Sequence, residues 1–392
     1  MRDHIFHFFR AHRRTTLLIG LGAFFALAAF LPRIVSTPTG TKHTNSGDVS
    51  RPVYTIPSHL SPLPAPPPPD MERMKRQGCV MDGVLSGYGE DTVEAIHLID
   101  RSNCYYLHRA VETWLATPDF SMARELMTLV KKEDLVWGMF IAEAIDTKAE
   151  YYSFEKDRMF KFADMCRKGT KNDWGEHTCK PSLSQSEYRD YVRQITSEAI
   201  DSGIQVFMFG QVFYQDNLQK PRVDDIIEDM RDYAKDRGVE IFVGAQTNDI
   251  TDKKYLRYFD FIEGGVGIDA NGSVESGPCH TRWWKKPGDW CWGLLWHPQF
   301  SEPANNVFVH LDWSGLKWDD MGRFARMDKE LRVDTIKNLH SYFTKKDIGF
   351  LVPFGAPLFK ENDGCVGPQK RYYSPNNLYG CPDEDAFNKI LK

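Results

Sequence analysis

The chain has 392 residues, a formal net charge of −5 and 26% charged side chains. That balance excludes a strongly basic nucleic-acid binder, and no basic stripe with interleaved aromatics occurs, so no nucleic-acid partner is expected. With 42% hydrophobic residues, the chain is long and apolar enough to bury a sizeable core.

Residues 1–14 form a short basic tail with Arg2, Arg10, Arg13 and Arg14. Residues 15–31 (TTLLIGLGAFFALAAFL) carry no charge, and Ile34 and Val35 extend their apolar reach past Pro32 and Arg33. The segment 15–35 therefore predicts a single transmembrane signal anchor, and its basic flank places the N-terminus in the cytoplasm. The alternative is a cleaved signal peptide, whose apolar region is normally shorter. No small-x-small cleavage site is obvious after Phe30. Residues 36–76 are rich in Pro, Ser and Thr, with SPLPAPPPPD at 61–70. Such a stretch cannot bury a core and reads as an extended stalk. Residues 77–392 are left for one folded domain, expected outside the cytoplasm at the cell surface, in a periplasm or in a secretory lumen.

Within that domain short apolar runs alternate with amphipathic stretches, the pattern of parallel βαβ units. Predicted strands cover 79–83, 104–108, 136–142, 204–209, 239–245, 259–262, 306–311 and 348–352. Predicted helices cover 90–100, 121–131, 186–202, 224–237, 253–258 and 328–344, and a long aromatic loop takes at least part of the place of the sixth helix. Gly203 and Gly238 sit just before strands, where a helix-ending glycine belongs. Eight such units predict an α/β fold, a (β/α)8 TIM barrel whose chemistry sits on the loops after the strands. The rival, a doubly wound open sheet, lacks a Gly-rich dinucleotide fingerprint here.

All eight cysteines follow the stalk. An even count in a predicted exterior domain suggests disulfides, and the barrel order suggests pairing neighbours: 79–104, 166–179, 279–291 and 365–381. No CxxC spacing occurs, so neither a zinc site nor any other metal or cofactor is expected. Asn271-Gly272-Ser273 is a glycosylation sequon.

The strand ends carry the candidate chemistry. Strand three leads to Glu143, with Asp146 beyond. Strand four ends in Gly210-Gln211, strand five in Gln246 and Asn248, strand six in Glu263, and strand seven in His310, Asp312 and Trp313. Strand one offers Asp82. Side chains alternate along a strand, so Gln246, Glu263 and Asp312 are expected to aim at one centre, with Glu143 across the mouth. Convergent carboxylates suit glycoside hydrolysis, in which one carboxyl donates a proton and the other acts as nucleophile or base. Glu263 and Asp312 are the expected pair, with Glu143 as the substitute for either. Gln211, Gln246, Asn248 and His310 would contact sugar hydroxyls. The bland reading of each acid is a helix cap or an arginine partner. Five of the ten tryptophans crowd residues 279–300, among them Trp290 and Trp292. With Trp313 they would stack on sugar faces, or else form a disulfide-pinned cluster at the rim.

Together, the architecture and strand-end chemistry of about residues 78–392 resemble (β/α)8 glycoside hydrolases, with no single family matched by motif. The Asn-Glu pair that ends strand four in a large clan of these enzymes is replaced by Gly210-Gln211, and the DxxDxDxE run of the chitinase-like barrels is absent. The resemblance implies a membrane-tethered hydrolase of polysaccharide or glycoconjugate that binds carbohydrate and needs no metal. The alternatives are a carbohydrate-binding barrel without chemistry, a glycosyltransferase and a phosphodiesterase. The last rests on His108-Arg109 with Glu112-Thr113, which resembles the opening of glycerophosphodiester phosphodiesterases but falls on the second strand and lacks the Glu-x-Asp pair. Asp319-Asp320 and Asp224-Asp225 resemble the acidic motif of glycosyltransferases, but sit at helix starts.

Overall fold

The computed structural model describes residues 60–87, 92–247, 250, 252–274, 306–313, 319–358, 364–367 and 371–392. The chain divides into two units, Met1–Thr55 and Ile56–Lys392, and the described residues belong to the second. The expected tail 1–14, the anchor 15–35 and the stalk up to residue 59 lie outside the described residues. No helix among the described residues is long and apolar enough to cross a membrane.

In chain order the main elements begin with helix α1 (Met71–Gln77) and strand β1 (Gly78–Met81), then α2 (Thr92–Arg101), β2 (Tyr106–Glu112), α3 (Phe120–Leu129) and β3 (Val136–Ile141). They continue with α4 (Ser186–Asp201), β4 (Val206–Phe209), the single turn α5 (Val212–Gln215), α6 (Val223–Asp236) and β5 (Phe242–Gln246). The short α7 (Lys253–Leu256), β6 (Phe261–Val266), β7 (Val307–Leu311), α8 (Asp320–Ala325) and α9 (Lys329–Thr344) follow. Strand β8 comes in two segments, Ile348–Phe350 and Val352–Pro357, and α10 (Glu384–Ile390) is the final helix.

Strands β1 to β8 pair in sequence order, each parallel to the last. The sheet curls until its eighth strand reaches both ends. Val307 to Val309 of β7 pair with Ile348 to Phe350, and Cys79 and Val80 of β1 pair with Val352 and Pro353. The strands are buried along nearly their whole length, because helices cover one face and the curled sheet's own side chains fill the other. On that inner face Tyr106, Phe261 and Phe308 meet edge to face, with ring centroids 5.2 to 6.0 Å apart. Gly244 makes room for this layer, since a Cβ there would collide with the Phe261 ring.

Several of the helices start where a short polar side chain supplies the missing acceptor. Asp70, Asp119, Asp319 and Asp328 each accept a backbone N–H from the first turn of the helix they precede. Asp319 is thus a cap, as its position before a helix implies.

Two strands run past their apolar signal. Strand β2 continues through Glu112, and β6 continues through Glu263, Gly264 and Gly265 to Val266. Polar and glycine residues hide these extensions in the sequence, whereas ladder pairing with β3 and β7 sustains them. The Pro-rich segment also ends earlier than its composition suggests. Residues 71–77 form α1, with Met74 fully buried. Ser61, Leu63 and Pro67 are tied by backbone groups to Arg124, Asp201 and Gln205. Those partners lie near the strands' N-terminal ends, so this segment meets the body opposite the candidate site.

Three of the four expected disulfides are formed: Cys79–Cys104, Cys166–Cys179 and Cys365–Cys381, with Cα separations of 5.8, 5.7 and 5.2 Å. The fourth, 279–291, lies outside the described residues. Between β3 and α4 the chain makes two small antiparallel pairs, one joining Ile145–Asp146 to Thr178–Cys179.

Candidate active site

The C-terminal ends of β2 to β7 bring one polar network together. Its centre is Glu263 on β6, whose side chain has no exposed surface. In the ladder Glu263 stands beside Gln246 of β5, and Gln246 Nε2 donates to Glu263 Oε1 over 3.4 Å. The same oxygen lies 2.6 Å from His310 Nε2, on β7. The other oxygen, Oε2, lies 3.5 Å from His108 Nε2, on β2. The second nitrogen of each ring is also held: His108 Nδ1 lies 2.9 Å from the Tyr106 hydroxyl, and His310 Nδ1 lies 2.8 Å from the Leu311 carbonyl oxygen.

Glu143 follows β3, almost fully buried. Its Oε1 accepts from Gln211 Nε2 at 2.5 Å, and the Gln211 backbone N–H donates to Gln246 Oε1 over 3.3 Å. The two amides therefore link Glu143 to Glu263. Glu143 Oε2 has no hydrogen-bond partner. It packs against Gly210, where a Cβ would strike both this oxygen and the Phe140 ring. Gln211 holds φ at +28°, a left-handed conformation that costs energy in a residue with a side chain.

The two carboxyls have opposite surroundings. Burial pushes Glu143 up to about 7, opposed in part by a backbone hydrogen bond, Arg109 and Gln211. Burial also pushes Glu263 up, but His108, His310 and Arg109 outweigh it and hold that carboxyl at about 2. His108 itself is driven down to about 3, first by its burial, and so is neutral at ordinary pH. The permanent charge that reaches Glu263 near neutrality is that of Arg109.

Beside this network stands a second buried cluster. Arg109 interrupts β2 at φ +57°, where the pairing with β3 slips between Leu107 and Val111. Such a bulge re-aims side chains. Arg109 Nε lies 3.0 Å from Asp82 Oδ1, and its guanidinium also pairs with Glu112. It stacks on Phe140 at 3.8 Å and on Trp313 at 5.3 Å. Trp313 in turn lies 4.0 Å from the His310 ring, centroid to centroid. Glu112 accepts from the Thr113 and Trp114 backbones at 2.8 Å. Burial, with Asp82 nearby and against the pull of Arg109, pushes Glu112 up to about 8.

The remaining sequence candidates are placed as follows. Asp312 is half-buried one residue beyond β7, with its backbone N–H directed at Val266 and its carbonyl accepting from Met321. Asp146 caps a turn by accepting from the Lys148 N–H. Asn248, Trp290 and Trp292 lie outside the described residues. Among the described residues, no group of three or more His, Cys, Asp or Glu side chains is arranged to hold a metal ion.

Sequence reasoning missed part of this site. His108, Arg109 and Glu112 carried only a weak motif likeness. Tyr106 was read only as part of a strand. A half-buried aromatic group was missed as well: Trp114 meets Trp174 edge-on at 5.1 Å, and Lys180 Nζ sits 3.9 Å over Tyr214. Trp174 lies in the loop stapled by Cys166–Cys179, and that placement was the available signal.

No family model matches the chain, and a search of curated proteins finds no match. Similar solved structures include a GH113 β-1,4-mannanase, 13% identical, covering 80% of this chain and 98% of its own, with a TM-score of 0.46. A GH113 β-mannanase from Alicyclobacillus acidocaldarius is 8% identical over 80% of this chain and 96% of its own, with a TM-score of 0.44. A debranching enzyme from Nostoc punctiforme is 9% identical over 76% and 68%, with a TM-score of 0.43. In architecture the chain resembles these glycoside hydrolases and matches no particular family. The chemistry has to be argued from the strand-end side chains.

Proposed function

We propose that this chain is a glycoside hydrolase of polysaccharide or glycoconjugate on a (β/α)8 barrel. Glu143 is the proton donor, and Glu263 is the carboxylate that meets the anomeric centre as nucleophile or as base for water. One observation carries the reading: two strand-end carboxyls, joined through Gln211 and Gln246, have environments that drive one toward the neutral acid and the other toward the anion. Glycosidic cleavage needs that division, because the leaving oxygen must receive a proton while the developing positive charge on the sugar meets a negative one. This pairing favours Glu143 over Asp312 as the partner of Glu263. Asp312 remains a proposed further carboxylate at the same rim. Gln211, Gln246, His310 and Trp313 are proposed substrate contacts, and Asn248, Trp290 and Trp292 are proposed from sequence alone.

The setting is proposed to be a single-pass membrane protein with this domain outside the cytoplasm. The three formed disulfides support an oxidising compartment.

The test is product analysis of the full-length protein with a panel of polysaccharides and nitrophenyl glycosides. Glu143→Gln and Glu263→Gln should each lower kcat/KM by roughly a hundred- to ten-thousand-fold with folding unchanged. Wild-type turnover in both overturns the reading. Loss in Asp312→Asn with full activity in Glu263→Gln hands the role to Asp312. A second reading, a carbohydrate-binding barrel without chemistry, is favoured by the complete burial of Glu263. It predicts glycan binding without product release.

A further inference from the structure

Three loops meet on the Glu143 side of the site, and each is tied beside that carboxyl. The loop after β2 carries Trp114, and the Leu115 N–H that follows it donates to the carbonyl of Ala144, next to Glu143, over 3.3 Å. The insertion after β3 carries Trp174. Cys166–Cys179 closes its loop, and Cys179 pairs with Ile145, just beyond Glu143. The turn α5 after β4 carries Tyr214, whose N–H donates to the Gln211 carbonyl at 2.8 Å. Gln211 is the residue whose side-chain amide binds Glu143.

The side chains of these loops meet one another. Trp114 and Trp174 form an edge-on pair with ring centroids 5.1 Å apart. Lys180 Nζ stands 3.9 Å from the Tyr214 ring centroid and 5.7 Å from that of Trp174. Its charge is paired, since Asp173 Oδ2 lies 3.0 Å away. Lys180 therefore covers one face of Tyr214 and braces Trp174. Both indoles are half-buried, so part of each remains at the surface. The Trp174 ring nitrogen is buried, so what that ring leaves at the surface is carbon. Flat apolar surface on anchored loops suits the C–H face of a sugar ring, and an indole covers it at little cost in conformational entropy.

Position indicates which sugar. The glycosidic oxygen bridges the cleaved sugar and the leaving group, and the proton donor must reach that oxygen. A surface that adjoins the donor therefore meets the leaving group, whereas Glu263 meets the anomeric carbon on the other side of the bond. We infer that Trp114 and Trp174 form the leaving-group subsite, where they stack on a neutral sugar of the departing chain beside Glu143. The substrate class is then one whose leaving group is itself a saccharide, not a small or lipid aglycone. The leaving-group assignment rests on the glycosidase reading; the indole pair as a sugar-binding surface does not.

The probes are cello-, manno-, xylo- and malto-oligosaccharides and the glycosyl fluorides of the same sugars, whose leaving group is a single atom. In the full-length protein, Trp114→Ala and Trp174→Ala should each lower kcat/KM on the cleaved oligosaccharide by roughly ten- to a hundredfold more than on the matching fluoride. Binding energy from the leaving group is available only with the former. Trp174→Leu, which fills space without a flat ring, takes the place of an alanine variant that fails to fold, and Trp174→Phe should keep most of the oligosaccharide rate. Equal losses on the two substrates overturn the subsite. Binding is read separately by calorimetry with the same oligosaccharides in Glu263→Gln protein, where adding Trp114→Ala should weaken affinity about tenfold or more. Unchanged affinity overturns the subsite, and this measurement decides where no fluoride is accepted. If binding depends on the indoles and the wild type cleaves no probe, the glycosidase reading fails and the sugar-binding surface stands. If the wild type cleaves a probe and the indoles affect neither rate nor affinity, the subsite alone falls. Neither binding nor cleavage with any probe overturns both.

Discussion

At the scale of single residues, Glu143 couples activity to stability. Its folded carboxyl holds a proton up to about 7, whereas an unfolded glutamate releases it near 4.3. Between those values the folded state binds more protons than the unfolded one, so stability falls as pH rises. The loss begins above the unfolded value and is complete above about 7. By linkage it amounts to roughly 4 kcal/mol. Glu143→Gln, which cannot ionise, should therefore be the more stable protein, with its advantage in urea midpoint small at about pH 5 and large at about pH 8. An advantage of equal size at both would contradict the buried-acid description. The same residue sets the alkaline limb of turnover. The donor form declines about tenfold per pH unit above about 7, while Glu263 stays ionised down to about 2.

At the scale of elements, the site depends on adjacent strands keeping register. Phe261 and Glu263 share the inner face of β6, and the Phe261 ring occupies the space that Gly244 of β5 leaves open. Gly244→Ala should cost about 1–3 kcal/mol by overpacking, because its methyl group meets an aromatic ring locked by its neighbours. Phe261→Leu in the same chain should recover part of that loss. Recovery in a double-mutant cycle measured by thermal unfolding supports the packing argument, and strict additivity refutes it. The bulge at Arg109 is a second element-scale device. It turns a β2 residue that a regular ladder would hide into the cation between Asp82, Glu112 and the two aromatic rings.

At the scale of the molecule, the strand C-terminal ends carry the polar network while the Pro-rich segment meets the opposite end. A transmembrane anchor at residues 15–35 is the proposed tether of this domain. Full-length protein should sediment with membranes and resist alkaline extraction, and deletion of residues 15–35 should release it. Recovery of the full-length chain in the soluble fraction would dismiss the anchor. The disulfide Cys166–Cys179 closes a short loop of the insertion, whose Thr178 and Cys179 pair with Ile145 and Asp146 just beyond Glu143. Its removal should be felt at the site as well as in overall stability.

Legibility followed the physics of each signal. The alternation of apolar runs and amphipathic stretches is a local pattern, so the eight strands, the major helices and the neighbour disulfides at 79–104, 166–179 and 365–381 could be read from the chain. Strand-end acids and amides were legible for the same reason, since side-chain alternation is local too. What tertiary structure alone decided was which of them share an environment. The sinking of Glu143 into a neutral acid, the meeting of His108 and His310 at Glu263 and the turning of Arg109 through a bulge all depend on burial and on groups supplied by distant strands. Burial and electrostatic coupling between segments far apart in sequence leave no periodic mark on the chain, so they appear only once the sheet has curled.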